Sequence, residues 1–284
     1  MIDRLRPLLS NKRNWISFVL VLIGAIVLVM IAPLVPPGVD WRNAFRPATL
    51  ELLHGRSPYT ADGFYNPVWA LFPLIPFALL PEEIGRVFLA VVALGSLAYT
   101  AKRLGASPIS LIALLLSPLV LHEVLNGNID WLVALGVVMP PWLGLFFVVV
   151  KPQIGVAIVI FWLFSTWKEG GIRKTVVTFI PVTIAFGISL ILYGWWPLLA
   201  TQAIDKSWNS SLWPVSIPMG LALLVTAIRK NDIRYAMGAS PCLSPYLVFH
   251  SWVIALLSIA SSAPEMVVTV VGLWILVAIR FAGG

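Results

Sequence analysis

Charged residues and cysteine are both scarce in this 284-residue chain. Asp, Glu, Lys and Arg make up 11% of the sequence, against roughly 25% in soluble domains, whereas hydrophobic residues make up 60%. A soluble protein cannot bury so much apolar surface, so the composition predicts an integral membrane protein and excludes disorder, collagen and coiled coil. The single cysteine, Cys242, excludes a disulfide framework and a cysteine-based zinc site.

Long charge-free stretches predict an all-α protein, a polytopic transmembrane bundle of about ten segments that forms one integral membrane domain over residues 1–284. Within it we expect a cytoplasmic tail at 1–14, a first extracytoplasmic loop at 34–86 and the remaining bundle at 87–284. The first segment follows four basic residues and has the pattern of an uncleaved signal-anchor. The predicted segments are 15–38, 66–80, 87–101, 109–121, 129–150, 154–167, 176–193, 217–228, 243–260 and 267–279.

The stretch 129–150 could be one span or a short hairpin that turns at Pro140-Pro141. The hairpin places 13 of the 19 basic residues in the cytoplasm, whereas a single span leaves 8 there. The positive-inside rule therefore favours the hairpin. It predicts a multi-pass protein of the plasma (inner) membrane with both termini in the cytoplasm. On this distribution the net charge of +7 is a topology signal, and we expect membrane lipids rather than nucleic acid as partners.

The first outer loop contains two predicted interfacial elements. Apolar and small side chains recur at helical spacing, and Gly55 can end that helix: Phe45, Ala48, Thr49, Leu52 and Leu53. The second element, 66–80, is broken by three prolines and is too short and irregular for a span. Together the two elements would cover a cavity at the membrane boundary.

Polar residues gather at three places on the predicted outer side. Asp40 lies in the first loop, where it could be a plain loop carboxylate or a functional acid. A second cluster contains His122, Glu123, Asn126, Asn128 and Asp130; in an unbroken helix His122, Asn126 and Asp130 would share one face, although Gly127 could break it.

Lys151 is the third place, a single lysine after an apolar run. It needs a water-filled cavity, an anionic partner or a route for its side chain to the interface. His122-Glu123 begins like a zinc-protease motif, but position 126 is Asn, so we expect no metal site.

Taken in order, these residues resemble the GT-C fold glycosyltransferases that use polyprenol-phosphate sugars, and most of all the mannosyltransferases of glycosyltransferase family 87. The resemblance covers about residues 33–167. It departs from the family where Asn66 replaces a proline of Tyr-Pro-Pro and where Asn128 and Asp130 replace Gln and Asn. The residues that carry it are Asp40, Leu52-Leu53-His54-Gly55-Arg56-Ser57-Pro58-Tyr59, Tyr65-Asn66-Pro67, Leu80-Pro81, Gly127-Asn128-Ile129-Asp130 and Lys151-Pro152-Gln153.

The resemblance implies transfer of a sugar, mannose above all, from a polyprenyl phosphate to an extracytoplasmic hydroxyl with inversion. The acceptor would be a glycan, glycolipid or protein, and no cofactor is implied beyond the lipid-linked donor; a divalent-metal requirement is left open. Asp40 would be the general base, and cations would stabilise the leaving phosphate. The residues expected to bind substrate or phosphate are Arg42, Arg46, Arg56, Tyr59, His122, Asn126, Asn128, Asp130, Lys151 and Gln153.

Two other functions stay open at the level of sequence. The short hairpin and the apolar C-terminal segments are compatible with a catalytically inactive GT-C-like subunit that packs with other membrane subunits. A lipid or solute transporter is the third hypothesis, which charges near the middle of the bilayer would favour.

Overall fold

The computed structural model describes residues 38–202 and 206–282, together with 23–24, 26–27, 29–30 and 32–34. Every regular element within these ranges is helical, and they contain no strand. The all-α prediction is therefore confirmed for this part of the chain. The predicted tail 1–14 and most of the predicted span 15–38 lie outside the described residues.

The α-helices vary greatly in length. In chain order they are α1 (Arg46–Leu53), α2 (Ile75–Ala78), α3 (Glu82–Arg103), α4 (Pro108–Leu115), α5 (Pro118–Asn126), α6 (Asp130–Val137), α7 (Pro141–Val148), α8 (Pro152–Tyr193), α9 (Pro197–Gln202), α10 (Ile217–Lys230), α11 (Ile233–Cys242), α12 (Val253–Ser258) and α13 (Ala263–Ala282). One π-helical segment (Trp41–Phe45) precedes α1. The short 3₁₀ segments are Ala32–Leu34, Pro58–Thr60, Val68–Leu74, Lys206–Trp208 and Phe249–Trp252.

Three helices are long and apolar enough to cross a membrane, namely α3, α8 and α13. Helices α4 and α5, bent by 51° at their junction, could form a fourth crossing. Helix α8 is itself broken at Gly170-Gly171, where Gly171 has φ 59°. Its two arms fold back on each other, because Thr166 Oγ1 donates to Thr175 Oγ1 at 3.3 Å. The described residues thus support a membrane protein, and the number of about ten segments stays a prediction.

The predicted hairpin over 129–150 is confirmed. Pro140 is extended (φ −54°, ψ 139°), so α6 and α7 meet at the Pro140-Pro141 turn. The helices approach each other closely at two glycines: a Cβ added to Gly144 would lie 2.5 Å from the Gly136 carbonyl oxygen. Each arm has 8 residues, about 12 Å at 1.5 Å per residue. The hairpin therefore enters the bundle without crossing it.

The first loop forms the two predicted short elements. Helix α1 buries Phe45, Ala48 and Thr49 on one side and ends before Gly55, whose φ is +72°. Beyond the extended Pro67, the segment Val68–Leu74 forms 3₁₀ turns and α2 adds one turn of α-helix. Proline spacing keeps this second element short, as the sequence predicts.

Two groups of polar side chains lie at opposite ends of the helical bundle. Lys168 Nζ donates to the Ile228 carbonyl at 2.7 Å, next to Arg229, and Arg234 Nη1 donates to Ser261 Oγ at 3.0 Å. We call this the basic end. Asp40, Asn128, Lys151 and His250 meet at the opposite end of α8, α10 and α11, which we call the site end. Lys168, Arg229 and Arg234 thus lie apart from Asp40 and Lys151, and the wider charge distribution stays a prediction.

Helix α11 corrects the predicted path of the C-terminal quarter. The sequence prediction treats 229–242 as a connection, but α11 packs along α10 and returns the chain to the site end. From there the segment 243–248 is not helical, and only Phe249–Trp252 and α12 lead back to the basic end. The predicted continuous span over 243–260 is therefore wrong.

Because α11 adds a helix that the prediction lacks, α13 runs in the opposite direction from the predicted one. Arg234 contacts Ser261, and Glu265 lines the same small cavity as Arg234, so α13 begins at the basic end. It passes Leu116, whose carbonyl accepts from Trp274 Nε1 at 3.1 Å. The described part of α13 therefore runs away from the basic end, opposite in direction to the predicted segment 267–279. This direction does not favour a cytoplasmic C-terminus, which stays a prediction.

Candidate functional site

A cavity of about 630 Å³ lies at the site end of the bundle. Its polar wall comes from distant parts of the chain and contains Asp40, Asn128, Lys151, Gln153, Ser244 and His250. The aromatic residues of its lining, which we call the aromatic wall, are Phe45, Tyr65, Phe186, Trp196 and Tyr246. A cavity that combines one charged wall with one aromatic wall suits a ligand with a polar, charged head and an apolar or sugar-like face.

Asp40 is held at the cavity by close packing on either side of it. Trp41 is fully buried, and its Nε1 donates to the Glu82 carbonyl at 3.2 Å. Gly127 passes so close to Trp41 that an added Cβ would lie 2.6 Å from the Trp41 Cβ. Asp40 Oδ2 accepts from Asn128 Nδ2 at 2.5 Å. The Asp40 side chain keeps 35% of its surface exposed, so it stays available to a ligand.

Lys151 has an anionic partner, which decides between the three interpretations of this lysine. Its side chain is 6% exposed and forms an ion pair with the fully buried Asp130. Nζ also donates to Asn128 Oδ1. Because burying an unpaired ammonium is very unfavourable, these two oxygens account for its position. An ammonium has three donors, so one N–H is left for a ligand.

His250 joins this network, and sequence reasoning missed it. Its Nδ1 lies 2.7 Å from Asp130 Oδ2, which also accepts from Ser251 Oγ at 2.7 Å. Its Nε2 lies 4.0 Å from Asp40 Oδ2. His250 is separated from Asp130 by 120 residues, so no local motif connects them. The only available signal was a histidine within an otherwise apolar stretch.

His122 and Asn126 lie near the site, but a shared helical face with Asp130 does not place them there. Helix α5 ends at Gly127 (φ 67°), and α6 begins at Asp130, so Gly127 breaks the helix and the three side chains do not share one helical face. The His122 ring instead stacks on the His250 ring, with centroids 5.4 Å apart. Asn126 Nδ2 lies 3.2 Å from His122 Nδ1. Both residues support the wall behind His250 and do not line the cavity.

The three arginines predicted to bind phosphate lie outside the cavity lining. Arg42 Nε pairs with Glu82 at 2.5 Å, and Arg46 Nη2 lies 3.4 Å from the Leu80 carbonyl oxygen. Arg56 pairs with Glu51, and this hydrogen-bonded guanidinium holds the pKa of Glu51 below its usual value. Among the described side chains, Lys151 is the cation that lines the cavity.

Tyr59 and Gln153 take different positions. Gln153 lines the cavity beside Lys151. Tyr59 lies behind the aromatic wall, where its ring stacks on Trp196 with centroids 5.3 Å apart and its hydroxyl donates to the Asn66 carbonyl at 3.0 Å. Burial raises the pKa of the Tyr59 hydroxyl, so it acts as a hydrogen-bond donor and a packing group.

Within the described ranges, no group of three or more His, Cys, Asp or Glu side chains is arranged to hold a metal ion. Comparison with models of known protein families, with curated protein sequences and with solved structures finds no match to this chain. The interpretation of the cavity therefore depends on its own chemistry, which is an accessible carboxylate hydrogen-bonded through one amide to a buried ammonium.

Proposed function

We propose that the protein is a membrane glycosyltransferase that moves a sugar from a polyprenyl-phosphate donor to an acceptor hydroxyl with inversion. Mannose is the proposed sugar, and a glycan, glycolipid or protein is the proposed acceptor. The observation that carries the proposal is the position of Asp40 and Lys151 on the two sides of Asn128, at one wall of one cavity.

Asp40 is suited to the role of general base. It is the exposed carboxylate of the cavity wall, and a bound hydroxyl could donate to its free oxygen, since Oδ2 is occupied by Asn128. Removing that proton as the hydroxyl oxygen attacks the anomeric carbon makes the acceptor a stronger nucleophile. A single base with an in-line leaving group produces inversion.

Lys151 is suited to the leaving phosphate. As the bond between the anomeric carbon and the phosphate oxygen breaks, negative charge grows on the phosphate. The ammonium is fixed in place by Asn128 and Asp130, so little reorganisation is needed when that charge develops. The aromatic wall offers the half-buried rings of Tyr65 and Tyr246 to the sugar, as stacking surfaces for its apolar C–H groups.

The finer architecture belongs to the same proposal. We infer a GT-C-like bundle of about ten membrane segments in the plasma membrane, with the site end extracytoplasmic and the basic end cytoplasmic. The basic end carries Lys168, Arg229 and Arg234, as the positive-inside rule expects of a cytoplasmic face.

The test is sugar transfer by the purified full-length protein in liposomes, with labelled polyprenyl-phosphate mannose and a lipid and glycan acceptor extract. We expect transfer by the wild type and a loss of about 100-fold or more in Asp40→Asn, because general-base catalysis is worth about 10²–10⁴-fold. Asp62→Asn is the matched control, since Asp62 is an exposed carboxylate of the same loop that does not line the cavity. Equal transfer by wild type and Asp40→Asn would exclude Asp40 as the base.

A non-catalytic membrane subunit is the second candidate. The observation in its favour is that Lys151, Asn128 and Asp130 satisfy one another inside the protein, as a purely structural network would. Absence of transfer by a folded wild type, in an extract that supports a known transferase, would favour this function.

A further inference from the structure

His250 has no part in the chemistry proposed so far, and its buried partner Asp130 enters that chemistry only by fixing Lys151. His250 is 2% exposed and Asp130 is fully buried, yet both lie directly behind Asp40 and Lys151. A fully buried carboxylate that holds an imidazole at 2.7 Å fixes the orientation of that imidazole. The arrangement turns one ring nitrogen, Nε2, toward the carboxylate of Asp40.

We propose that His250 accepts the proton that Asp40 removes from the acceptor hydroxyl, with Asp130 as the residue that orients and stabilises the imidazole. This inference rests on the proposed glycosyl transfer. It adds a second acid–base residue, His250, and a positioning residue, Asp130.

The hydrogen bonds define the direction of the relay. Asp130 Oδ2 already accepts from Ser251 Oγ, and an ionised carboxylate can only accept, so the proton of His250 Nδ1 points to Asp130. In the neutral ring Nε2 then carries a lone pair. This lone pair and Asp40 Oδ2 are 4.0 Å apart, and two acceptors face each other unless a proton or a water lies between them. The pair is thus arranged to take up one proton.

Charged and titratable groups surround the His250 ring on several sides. Asp40 and Asp130 face its two nitrogens, and Lys151 pairs with the other oxygen of Asp130. The His122 ring stacks on it. Glu123 is a further buried acid next to this group, and its Oε1 accepts from the Trp131 backbone N–H at 2.7 Å.

The step balances without any further reactant. The hydroxyl oxygen forms a bond to the anomeric carbon while the carbon–oxygen bond to the phosphate breaks, and the hydroxyl proton moves to Asp40. The proton arrives on the Asp40 oxygen that Asn128 leaves free, so a turn of the carboxyl group brings it toward the ring. Asp40 then passes the proton to His250 Nε2 and returns to the carboxylate. Transfer across 4.0 Å needs one bridging water or an approach of about 1 Å. The imidazolium loses its proton to water when the products leave.

The test combines transfer kinetics with a direct observation of the ring. In the liposome assay we expect His250→Gln to lower kcat by about tenfold or more, since Gln cannot accept a proton, while His54→Asn leaves transfer unchanged because His54 is exposed and outside the cavity. The pH profile of kcat should differ between the wild type and His250→Gln, because Gln has no ring nitrogen that can take up a proton. Added imidazole should restore transfer to His250→Ala.

Two results would overturn the relay while the proposed function stands. One is a His250→Gln variant with wild-type kcat and pH profile. The other is an increase in KM for the donor at unchanged kcat, which would assign His250 to phosphate binding.

Ring ¹⁵N spectra of histidine-labelled protein in micelles test the pair even if His250 variants misfold or the protein transfers no sugar. We expect Nδ1 of His250 to be protonated in the wild type, and the Nε2 signal of His250, but not of His54, to change in Asp40→Asn. An unchanged His250 signal would overturn the inference by itself.

Discussion

The buried ion pair of Lys151 and Asp130 is the residue-scale feature on which the site depends. Sequence alone indicated that Lys151 needs an explanation, because a lysine after an apolar run is costly. It could not choose the partner, since Asp130 lies at the start of another helix and becomes a neighbour only when the α6–α7 hairpin closes. Asp40, Asn128 and Gln153 were predicted and do line the cavity.

Substitution of Lys151 tests how much this ion pair contributes to the free energy of unfolding. We expect Lys151→Met to lower the free energy of unfolding by about 3 kcal/mol, because Asp130 keeps its charge and loses its ammonium partner. The control Lys174→Met breaks an ion pair whose side chains are about half exposed and should cost under about 1 kcal/mol. Unfolding by denaturant in micelles measures both.

The double variant Lys151→Met/Asp130→Asn should lose less stability than the sum of its two single variants, since no unpaired buried carboxylate remains. Strict additivity of the three measurements would mean that the pair is not coupled in the folded protein.

At the scale of elements, the α6–α7 hairpin depends on the close approach of two glycines. The sequence predicted this hairpin from charge distribution and from Pro140-Pro141. The contact between Gly136 and Gly144 was not predicted, because which faces of two apolar helices meet depends on their rotation about their axes.

Gly144→Ala should therefore destabilise the protein by about 1–3 kcal/mol, the usual range for an overpacked core, because the new Cβ would lie 2.5 Å from the Gly136 carbonyl oxygen and 2.7 Å from Trp162. Gly95→Ala is the matched control within α3, where nothing lies within 4 Å of the new methyl group. It should be neutral or stabilising by up to about 1 kcal/mol. Equal stability of the two variants in micelles would show that the hairpin opens freely.

Helix α11 is the element that sequence reasoning failed to find. It has 10 residues and contains Arg234, Gly238 and Pro241, so a search for charge-free apolar stretches passes over it. Its Asp232 cap holds the first turn, because the carboxylate accepts from the Arg234 backbone N–H at 3.0 Å. The same carboxylate accepts from the Arg234 guanidinium, which holds the pKa of Asp232 below its usual value.

A carboxyl group whose pKa is lower in the folded state stabilises the protein above its unfolded pKa, and that contribution is lost as the pH falls through the folded value. We therefore expect Asp232→Asn, which can still cap the helix, to be less stable by under about 1 kcal/mol at pH 7. The difference should begin to fall below about pH 3.9, the ordinary value for Asp, and disappear below the lower pKa of the folded state. Unfolding of both proteins from pH 7 to 2.5 measures this, and a difference independent of pH would contradict it.

At the scale of the whole molecule, the separation of the basic end from the site end is what the proposed topology uses to place the cavity on one side of the membrane. Missing α11 reversed the predicted direction of the last helix, which illustrates how one short helix changes every assignment that follows it. The hydrogen bonds from Arg234 to Ser261 and from Trp274 to the Leu116 carbonyl establish the direction of α13.

Single cysteines test the arrangement in a Cys242→Ala background. On intact cells an impermeant maleimide should label Arg56→Cys and Arg280→Cys but not Lys174→Cys, because the first two lie toward the site end and Lys174 lies at the basic end beside Gly171. Permeabilised cells should show labelling at all three positions. If Arg280→Cys, like Lys174→Cys, is labelled only after permeabilisation, the C-terminus is cytoplasmic. If Arg56→Cys is labelled only after permeabilisation, the whole topology is reversed.

The sequence by itself determined the apolar composition typical of a membrane protein, the helical class and the Pro140-Pro141 hairpin, because composition and proline position are local or summed properties of the chain. Only the tertiary structure decided that Lys151 pairs with Asp130, that the predicted arginines lie outside the cavity and that His250 stands behind Asp40. These depend on contacts between residues far apart in the chain, and packing rather than sequence pattern selects such contacts.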